Sequence, residues 1–214
     1  MAALSVATDL GMGQPLEFAL TACVLATRLG EELGLPESEL HDVYYFGLLR
    51  FIGCNSDTHA IAALLGDELS LRSAFAAVDP GNTPQVLNLT VRFMRQAHAG
   101  APPLDMARLL VRGVLTMPQF MHEQFSGHCE VAQRLAERLS FGTSLIDALG
   151  QLYERWDGKG LPHGLKGEAV SPAVLLVTLA QDVVTYQRLG NLDTAVQMVR
   201  TRSGGAYDPR HAEH

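Results

Sequence analysis

The residues best suited to chemistry lie in one loop in the C-terminal third of the chain. After Trp156 the sequence continues Asp-Gly-Lys-Gly-Leu-Pro-His-Gly. Glycines permit positive φ angles and proline stiffens the backbone, so this loop is predicted to hold one shape. Carboxylates at Glu154 and Asp157 and an imidazole at His163 are groups that bind metal ions or exchange protons. The loop is therefore the first candidate for a functional site.

The charged side chains of this loop allow two interpretations. Glu154, Arg155 and Asp157 either fix the loop through ion pairs and hydrogen bonds to backbone amides, or they contact a ligand. We favour the first interpretation. Gly158 and Gly160 are then required by the turn itself or by a close approach of the backbone.

A second candidate is a carboxylate in the most apolar segment of the chain. Residues 173–184 are apolar nearly all round, and Asp182 is one of few exceptions. Burying a carboxylate without a partner is costly and raises its pKa, so Asp182 needs a cation. We predict that Arg50 pairs with Asp182 and that His128 completes the network, although His128 is equally explained as an interior histidine.

Other groupings of ligand-type residues have simpler explanations. His41 and Asp42 are predicted to be solvated helix surface. Asp57 is predicted to cap a helix, with a metal group formed by Cys54, Asp57 and His59 as the alternative.

A group of methionines also has two interpretations. Met94, Met106, Met117 and Met121 are predicted to be adaptable core residues. The alternative is a binding surface, which would require an apolar cavity of ligand size within the inserted segment.

Helical periodicity runs along the whole chain and predicts an all-α fold. No alternating run is long enough to build a sheet. Pro118 is predicted to open or kink a segment. The predicted helices cover 2–10, 15–33, 36–53, 58–65, 69–78, 84–97, 104–115, 128–139, 143–156, 173–184 and 192–199.

Composition narrows the class of protein. The chain has 214 residues, of which 47% are hydrophobic, and this is enough for one substantial core. Neither an apolar membrane span nor a signal peptide is indicated, so we predict a cytoplasmic protein. Three cysteines without CxxC spacing argue against a disulfide frame or structural zinc. A net charge of -7 argues against nucleic-acid binding.

The loop resembles the signature of the HD-GYP phosphodiesterase family. In that family two histidines and a glutamate precede an Asp-Gly-x-Gly-Tyr-Pro loop. Glu154, Asp157, Gly158 and Gly160 match this pattern. The two histidine positions hold Leu152 and Tyr153, and Leu161 stands where the tyrosine is expected.

A second stretch resembles the family's Leu-Leu-His-Asp-Ile-Gly-Lys. Here Arg50 and Phe51 occupy the metal-binding His-Asp positions, and Cys54 replaces the lysine. Phe18 stands at an earlier histidine position. Among the other family positions His128 and Asp182 are kept, and residues 203–209 resemble the closing Gly-x-x-Phe-Asp-Pro.

The resemblance implies an all-α, HD-domain-like helical bundle with an inserted helical lobe. We predict a single domain over 1–209, with the inserted segment at about 57–125 and a tail at 210–214. The resemblance covers about 15–54 and 126–209 well.

Because most of the family's metal ligands are missing, the predicted function is that of a catalytically degenerate regulatory or sensory domain, of the kind found in large bacterial LuxR-type regulators. We predict no catalytic residue, metal or other cofactor. The predicted partners are a downstream domain or a regulatory protein, a second copy of the chain and a nucleotide-like ligand, without nucleic acid or membrane. The candidates for a vestigial or ligand site are Arg50, His128, Glu154, Asp157, Gly158, Gly160 and Asp182.

The alternative function is a metal-dependent phosphohydrolase of the HD superfamily that acts on a cyclic dinucleotide or another nucleotide. It would use His128 and Asp182 as metal ligands, with Glu154 or Asp157. Asp57 and His59 would be substitutes for the missing ligands. A nucleotide sensor without hydrolysis is a third interpretation, but no phosphate-binding Gly-rich helix start followed by Lys-Ser or Lys-Thr is present.

Overall fold

The structure is a computed structural model that describes residues 1–54 and 68–213. These residues form α-helices joined by turns, with no β-strand among them, which confirms the predicted all-α class. The helices are α1 (Ala2–Gly11), α2 (Phe18–Glu32), α3 (Glu37–Leu49), α4 (Glu68–Phe75), α5 (Thr83–Ala97), α6 (Pro103–Arg138), α7 (Thr143–Leu149), α8 (Pro172–Leu189) and α9 (Leu192–Arg202).

Three helices, α2, α3 and α8, pack against one another at the centre of a helical bundle. Small residues such as Ala22 and Ala26 on α2 let the helices approach closely, and Val43, Leu176 and Val177 fill the space between them. All five are fully buried. The apolar character of α8 follows from this position, since neighbours cover it on most sides.

A separate helical lobe is formed by α4, α5 and the N-terminal half of α6. Its own small core contains Leu89, Phe93 and Met94. The inserted lobe of the predicted fold is therefore present. Its predicted bounds and the single domain over 1–209 stay predictions, and the predicted helix at 58–65 lies outside the described residues.

The longest helix, α6, joins the lobe to the bundle. It has 36 residues and continues through Pro118, so this proline does not open a new segment, and the alternative prediction that it kinks the helix stays a prediction. Proline removes one backbone hydrogen bond. Tertiary packing holds both halves of α6. Gly113 lies close to Met94 in the lobe, and Ala132 is buried in the main core. None of the helices within 1–54 and 68–213 has the length and apolarity needed to span a bilayer.

Several other helix bounds differ from prediction, and two of them bear on the site. Helix α2 begins at Phe18 rather than Pro15, because the buried carboxylate of Asp9 accepts the Ala19 backbone N–H at 3.2 Å and so caps α2 from α1. Helix α7 ends at Leu149 rather than Trp156. The backbone carbonyl of Tyr153 accepts a hydrogen bond from Leu161 N–H at 3.1 Å. Tyr153 therefore belongs to the loop and not to α7.

Candidate functional site

Glu154 anchors the loop predicted as the first candidate site. Its side chain is buried and accepts backbone N–H groups of three consecutive residues: His163 at 2.6 Å, Gly164 at 3.1 Å and Leu165 at 2.8 Å. Three amide donors satisfy a buried carboxylate without a cation. Glu154 thus fixes the far end of the loop.

Arg155 ties the loop to the helical lobe. Its Nε and Nη2 atoms donate to the two carboxylate oxygens of Asp157 at 3.1 and 3.0 Å, and its Nη1 donates to Asp79 at 2.5 Å. Asp157 also accepts the Lys159 backbone N–H at 3.0 Å. Burial alone would raise the pKa of Asp157, but the hydrogen bonds from Arg155 and Lys159 lower it. These contacts fit the loop-fixing interpretation.

Gly160 lies where no larger residue fits. A Cβ atom on it would come within 2.5 Å of Glu154 Cα and 2.6 Å of Tyr153 O, which are backbone atoms that cannot move aside cheaply. Gly158 has a φ of 79°, a conformation that favours glycine. Both glycines therefore serve the shape of the loop.

Asp182 is paired with Arg202, so the predicted Arg50–Asp182 ion pair is wrong. The Oδ2 atom of Asp182 accepts hydrogen bonds from Arg202 Nη1 and the Tyr207 hydroxyl, both at 2.5 Å. Burial alone would lower the pKa of Arg202, but the Asp182 carboxylate raises it. Burial and the same carboxylate raise the pKa of Tyr207.

Arg50 follows the last turn of α3 and is held there through one of its nitrogens. Its Nη1 atom donates to the backbone carbonyl of Leu152 at 2.6 Å, and its guanidinium carbon lies 5.6 Å from the centre of the Phe46 ring. Burial lowers the pKa of the Arg50 guanidinium. Arg50 forms no ion pair with the described residues.

His128 contacts the loop through Tyr153. Its Nδ1 atom lies 2.7 Å from the Tyr153 hydroxyl, which is 3.1 Å from Cys54 Sγ. Burial is the main cause that raises the pKa of Tyr153 well above its ordinary value, so Tyr153 is a neutral phenol here. A buried polar chain therefore joins α6 to the end of α3.

A cavity of about 500 Å³ lies between the bundle, the lobe and this loop. Arg50, Gly160 and Asp182 line it, as do Met117 and Met121 from α6. The cavity has the size of a ligand site, but it lies between the lobe and the bundle and not within the lobe, where the alternative interpretation of the methionines places it. Met94 is fully buried in the core of the lobe, as the first interpretation predicts.

Sequence reasoning missed several residues of the site. Arg202, Tyr207 and Asp79 were not singled out. A signal existed for Arg202: α8 and α9 are joined by two residues, so they must be antiparallel neighbours. Nothing in the sequence pointed to Asp79, which lies far from Arg155 in the chain.

The described residues do not fit a divalent metal. No group of three or more His, Cys, Asp or Glu side chains in 1–54 and 68–213 could hold one. Asp182 already accepts hydrogen bonds from Arg202 and Tyr207, and Glu154 accepts them from backbone amides. Arg50 stands where the HD-GYP family has a metal-binding histidine, and its positive charge repels a metal ion. The alternative group of Cys54, Asp57 and His59 includes residues outside the described ranges.

Comparison with known proteins gives one family and two curated relatives. A model described as HD domain matches residues 107–210. The 3′3′-cGAMP-specific phosphodiesterase 3 of Vibrio cholerae serotype O1 is 28% identical over 216 residues, which covers 100% of this chain and 46% of the relative. The cyclic di-GMP phosphodiesterase of Thermotoga maritima is 26% identical over 148 residues, covering 62% of this chain and 40% of the relative.

A solved structure supports the fold. The crystal structure of a cyclic GMP-AMP specific phosphodiesterase of V. cholerae, V-cGAP3, superposes with a TM-score of 0.68 and 24% sequence identity. The superposition covers 99% of this chain and 45% of the V. cholerae chain. The chain therefore spans less than half the length of each relative, and the likeness to the solved structure shows an HD-domain-like fold.

These comparisons correct the predicted function. The relatives are named phosphodiesterases, so the prediction of a catalytically degenerate regulatory or sensory domain is wrong. The link to LuxR-type regulators is not supported. The prediction of a degenerate domain rested on the missing histidines at the positions of Arg50, Leu152 and Tyr153.

Proposed function

We propose that this chain, whose match over residues 107–210 supports the HD domain family, acts as a phosphodiesterase of the HD superfamily on a 3′3′-cyclic dinucleotide. In such a reaction water adds across one phosphodiester bond and gives a phosphomonoester and a hydroxyl group. The observation that carries the proposal is the alignment of the whole chain with the 3′3′-cGAMP-specific relative.

The walls of the cavity suit the bases of a dinucleotide. Ligand pockets are typically about 300–1,000 Å³ in volume and mostly apolar, with a few polar groups. This cavity of about 500 Å³ is lined by aromatic rings, including Phe18, Phe51, Phe75 and Phe125. Flat aromatic rings stack on nucleobases whatever the identity of the base.

The polar rim of the cavity is held rigid by the contacts of the loop. Arg155 bonds to Asp157 within the loop and to Asp79 in the lobe, so one side chain fixes two walls relative to each other. Glu154 fixes the other end of the loop through three amides. A preorganised site loses less entropy on binding, which favours affinity and orientation of the bound ligand.

Divalent metals supply a nucleophilic hydroxide in many phosphodiesterases. Because the described residues do not fit such an ion, we assign no step to it. The roles proposed for this chain are to bind the dinucleotide, to orient its phosphodiester and to shield it from bulk water.

The test is hydrolysis of 3′3′-cGAMP by the purified protein, with Mn²⁺ and again after chelation, followed by chromatography of the products. We expect a linear dinucleotide. Val114 lines the cavity, whereas Val111, one turn earlier on α6, does not. V114W should lower kcat/KM about tenfold by filling the cavity, and the matched variant V111W should leave it unchanged.

Two results would overturn the proposal. One is the absence of product from 3′3′-cGAMP and cyclic di-GMP under all metal conditions. The other is turnover that V114W and V111W change equally, because this would place the reaction away from the cavity.

A further inference from the structure

The wall of the cavity carries an excess of positive charge in an acidic protein. The whole chain has a net charge of -7. The cavity, however, is lined by five basic side chains, Arg50, Arg72, Arg155, Lys159 and Arg202, and by two carboxylates, Glu154 and Asp182. A concave site lined by one sign of charge focuses the field and attracts ligands of the opposite sign.

Two of the basic residues are neutralised within the protein. Arg155 is bonded to Asp157 and Asp79, and Arg202 is bonded to Asp182. Arg50 differs from both, because no carboxylate among the described residues lies within ion-pair distance of it. Its charge is therefore left for a ligand.

The guanidinium of Arg50 has an unused edge. Of its three nitrogens, Nη1 donates to Leu152 O at 2.6 Å, and the described residues give no partner to Nε or Nη2. Neither atom is among the fully buried polar atoms without a partner, so both keep some exposure. Arg50 is one of the residues that line the cavity. Two parallel N–H groups on one edge match two oxygens of a phosphate.

The position of Arg50 is fixed before any ligand arrives. The Leu152 carbonyl holds Nη1, and the Phe46 ring lies under the guanidinium. Burial disfavours the charged form of Arg50. An anion bound at the free edge would relieve that cost, since opposite charges interact strongly in a poorly solvated site.

We propose that Arg50 binds a phosphate of the cyclic dinucleotide through the edge formed by its Nε and Nη2 atoms, an inference that rests on the proposed function. Arg50 orients the phosphodiester at the inner wall of the cavity, while the aromatic rings hold the bases. Discrimination between phosphorylated and neutral ligands then depends in part on this side chain.

The experiment is calorimetric titration of 3′3′-cGAMP into the wild type, R50M, R50K and R134M at low and high salt, with the products analysed by chromatography. R50M keeps the length of the side chain and removes its charge. R50K keeps the charge and removes the edge. Arg134 is an exposed arginine on α6 and serves as the matched control.

We expect the Kd of R50M to rise about 10- to 100-fold, that of R50K to rise less, and that of R134M to stay unchanged. Salt should weaken binding by the wild type more than binding by R50M, since one charge contact has gone. A structural role of Arg50 alone would not change the salt dependence. Circular dichroism checks that each variant is folded. If R50M does not fold, the Kd of R50K is compared with that of the wild type instead.

The two proposals fail in different ways. Equal affinities and equal salt dependence in wild type and R50M overturn the role of Arg50, and product formation can still stand. Wild-type affinity in R50K overturns the contact through two nitrogens. Tight binding without any product overturns the phosphodiesterase and leaves the phosphate contact in place. No binding by the wild type overturns both.

Discussion

The carboxylate of Asp182 and the guanidinium of Arg202 form an ion pair between α8 and α9. Their side chains are 14% and 5% exposed, so the pair is largely removed from solvent. Arg202 also donates to the Tyr186 hydroxyl at 3.0 Å. The pair joins two helices that are neighbours in the chain, and it leaves Arg50 on the cavity wall without a carboxylate.

We expect removal of either partner to destabilise the protein. D182N or R202M should each lower the free energy of unfolding by about 3 kcal/mol, because the remaining group stays buried without its partner. In the double variant the loss should be less than the sum by at least about 1 kcal/mol. Urea denaturation measures all three values.

The exposed pair between Arg134 and Glu130 on α6 is the control. Its side chains are 70% and 60% exposed, so R134M and E130Q should change stability by less than about 1 kcal/mol. Strictly additive losses in D182N and R202M would contradict a direct coupling between these residues.

The sequence predicted the helices better than the contacts between them. Helical periodicity identified α5 and α8 because each has a continuous apolar pattern and a clear start. It did not reveal that α6 is continuous, because Pro118 is a local signal against helix, while the packing of both ends is tertiary. Local signals fail where distant contacts supply the stabilisation.

The candidate site shows the same division. Glu154, Asp157 and Gly160 could be identified from a local motif, and the structure brings them together in one loop. Residue type alone could not identify the partner of Asp182, since both Arg50 and Arg202 are cations. The short connection between α8 and α9, which makes these helices antiparallel neighbours, decides for Arg202.

Gly160 should be intolerant of any side chain. A Cβ atom would lie 2.5 Å from Glu154 Cα and 2.6 Å from Arg155 N, so the loop would have to move. We expect G160A to lower the free energy of unfolding by about 2–3 kcal/mol and to weaken binding at the cavity. Thermal unfolding with a nucleotide titration measures both effects.

Gly127 on α6 provides the matched substitution. A Cβ atom there meets nothing within 4 Å, and the residue is helical. G127A should therefore leave stability unchanged or raise it by up to about 1 kcal/mol. If G160A is as stable as G127A, the close approach of the loop backbone does not constrain this position.

The ion pair of Asp157 with Arg155 should make stability depend on pH in the acid range. Burial would raise the pKa of Asp157, but the hydrogen bonds from Arg155 and the Lys159 backbone, together with their positive charges, outweigh it, so the pKa is lower in the folded than in the unfolded protein. The folded state then binds fewer protons. The stabilisation is present above the pKa of the unfolded chain and is lost as the pH falls through that of the folded protein.

We therefore expect D157N to be less stable than the wild type by about 1–3 kcal/mol at neutral pH, with the difference shrinking from about pH 4 downward. Urea denaturation across this range measures it. D105N removes an exposed carboxylate on α6, and its stability should follow the same pH dependence as that of the wild type. A constant difference between D157N and the wild type at all pH values would mean that Asp157 acts through packing rather than through its charge, because a neutral asparagine cannot follow the titration of a carboxylate.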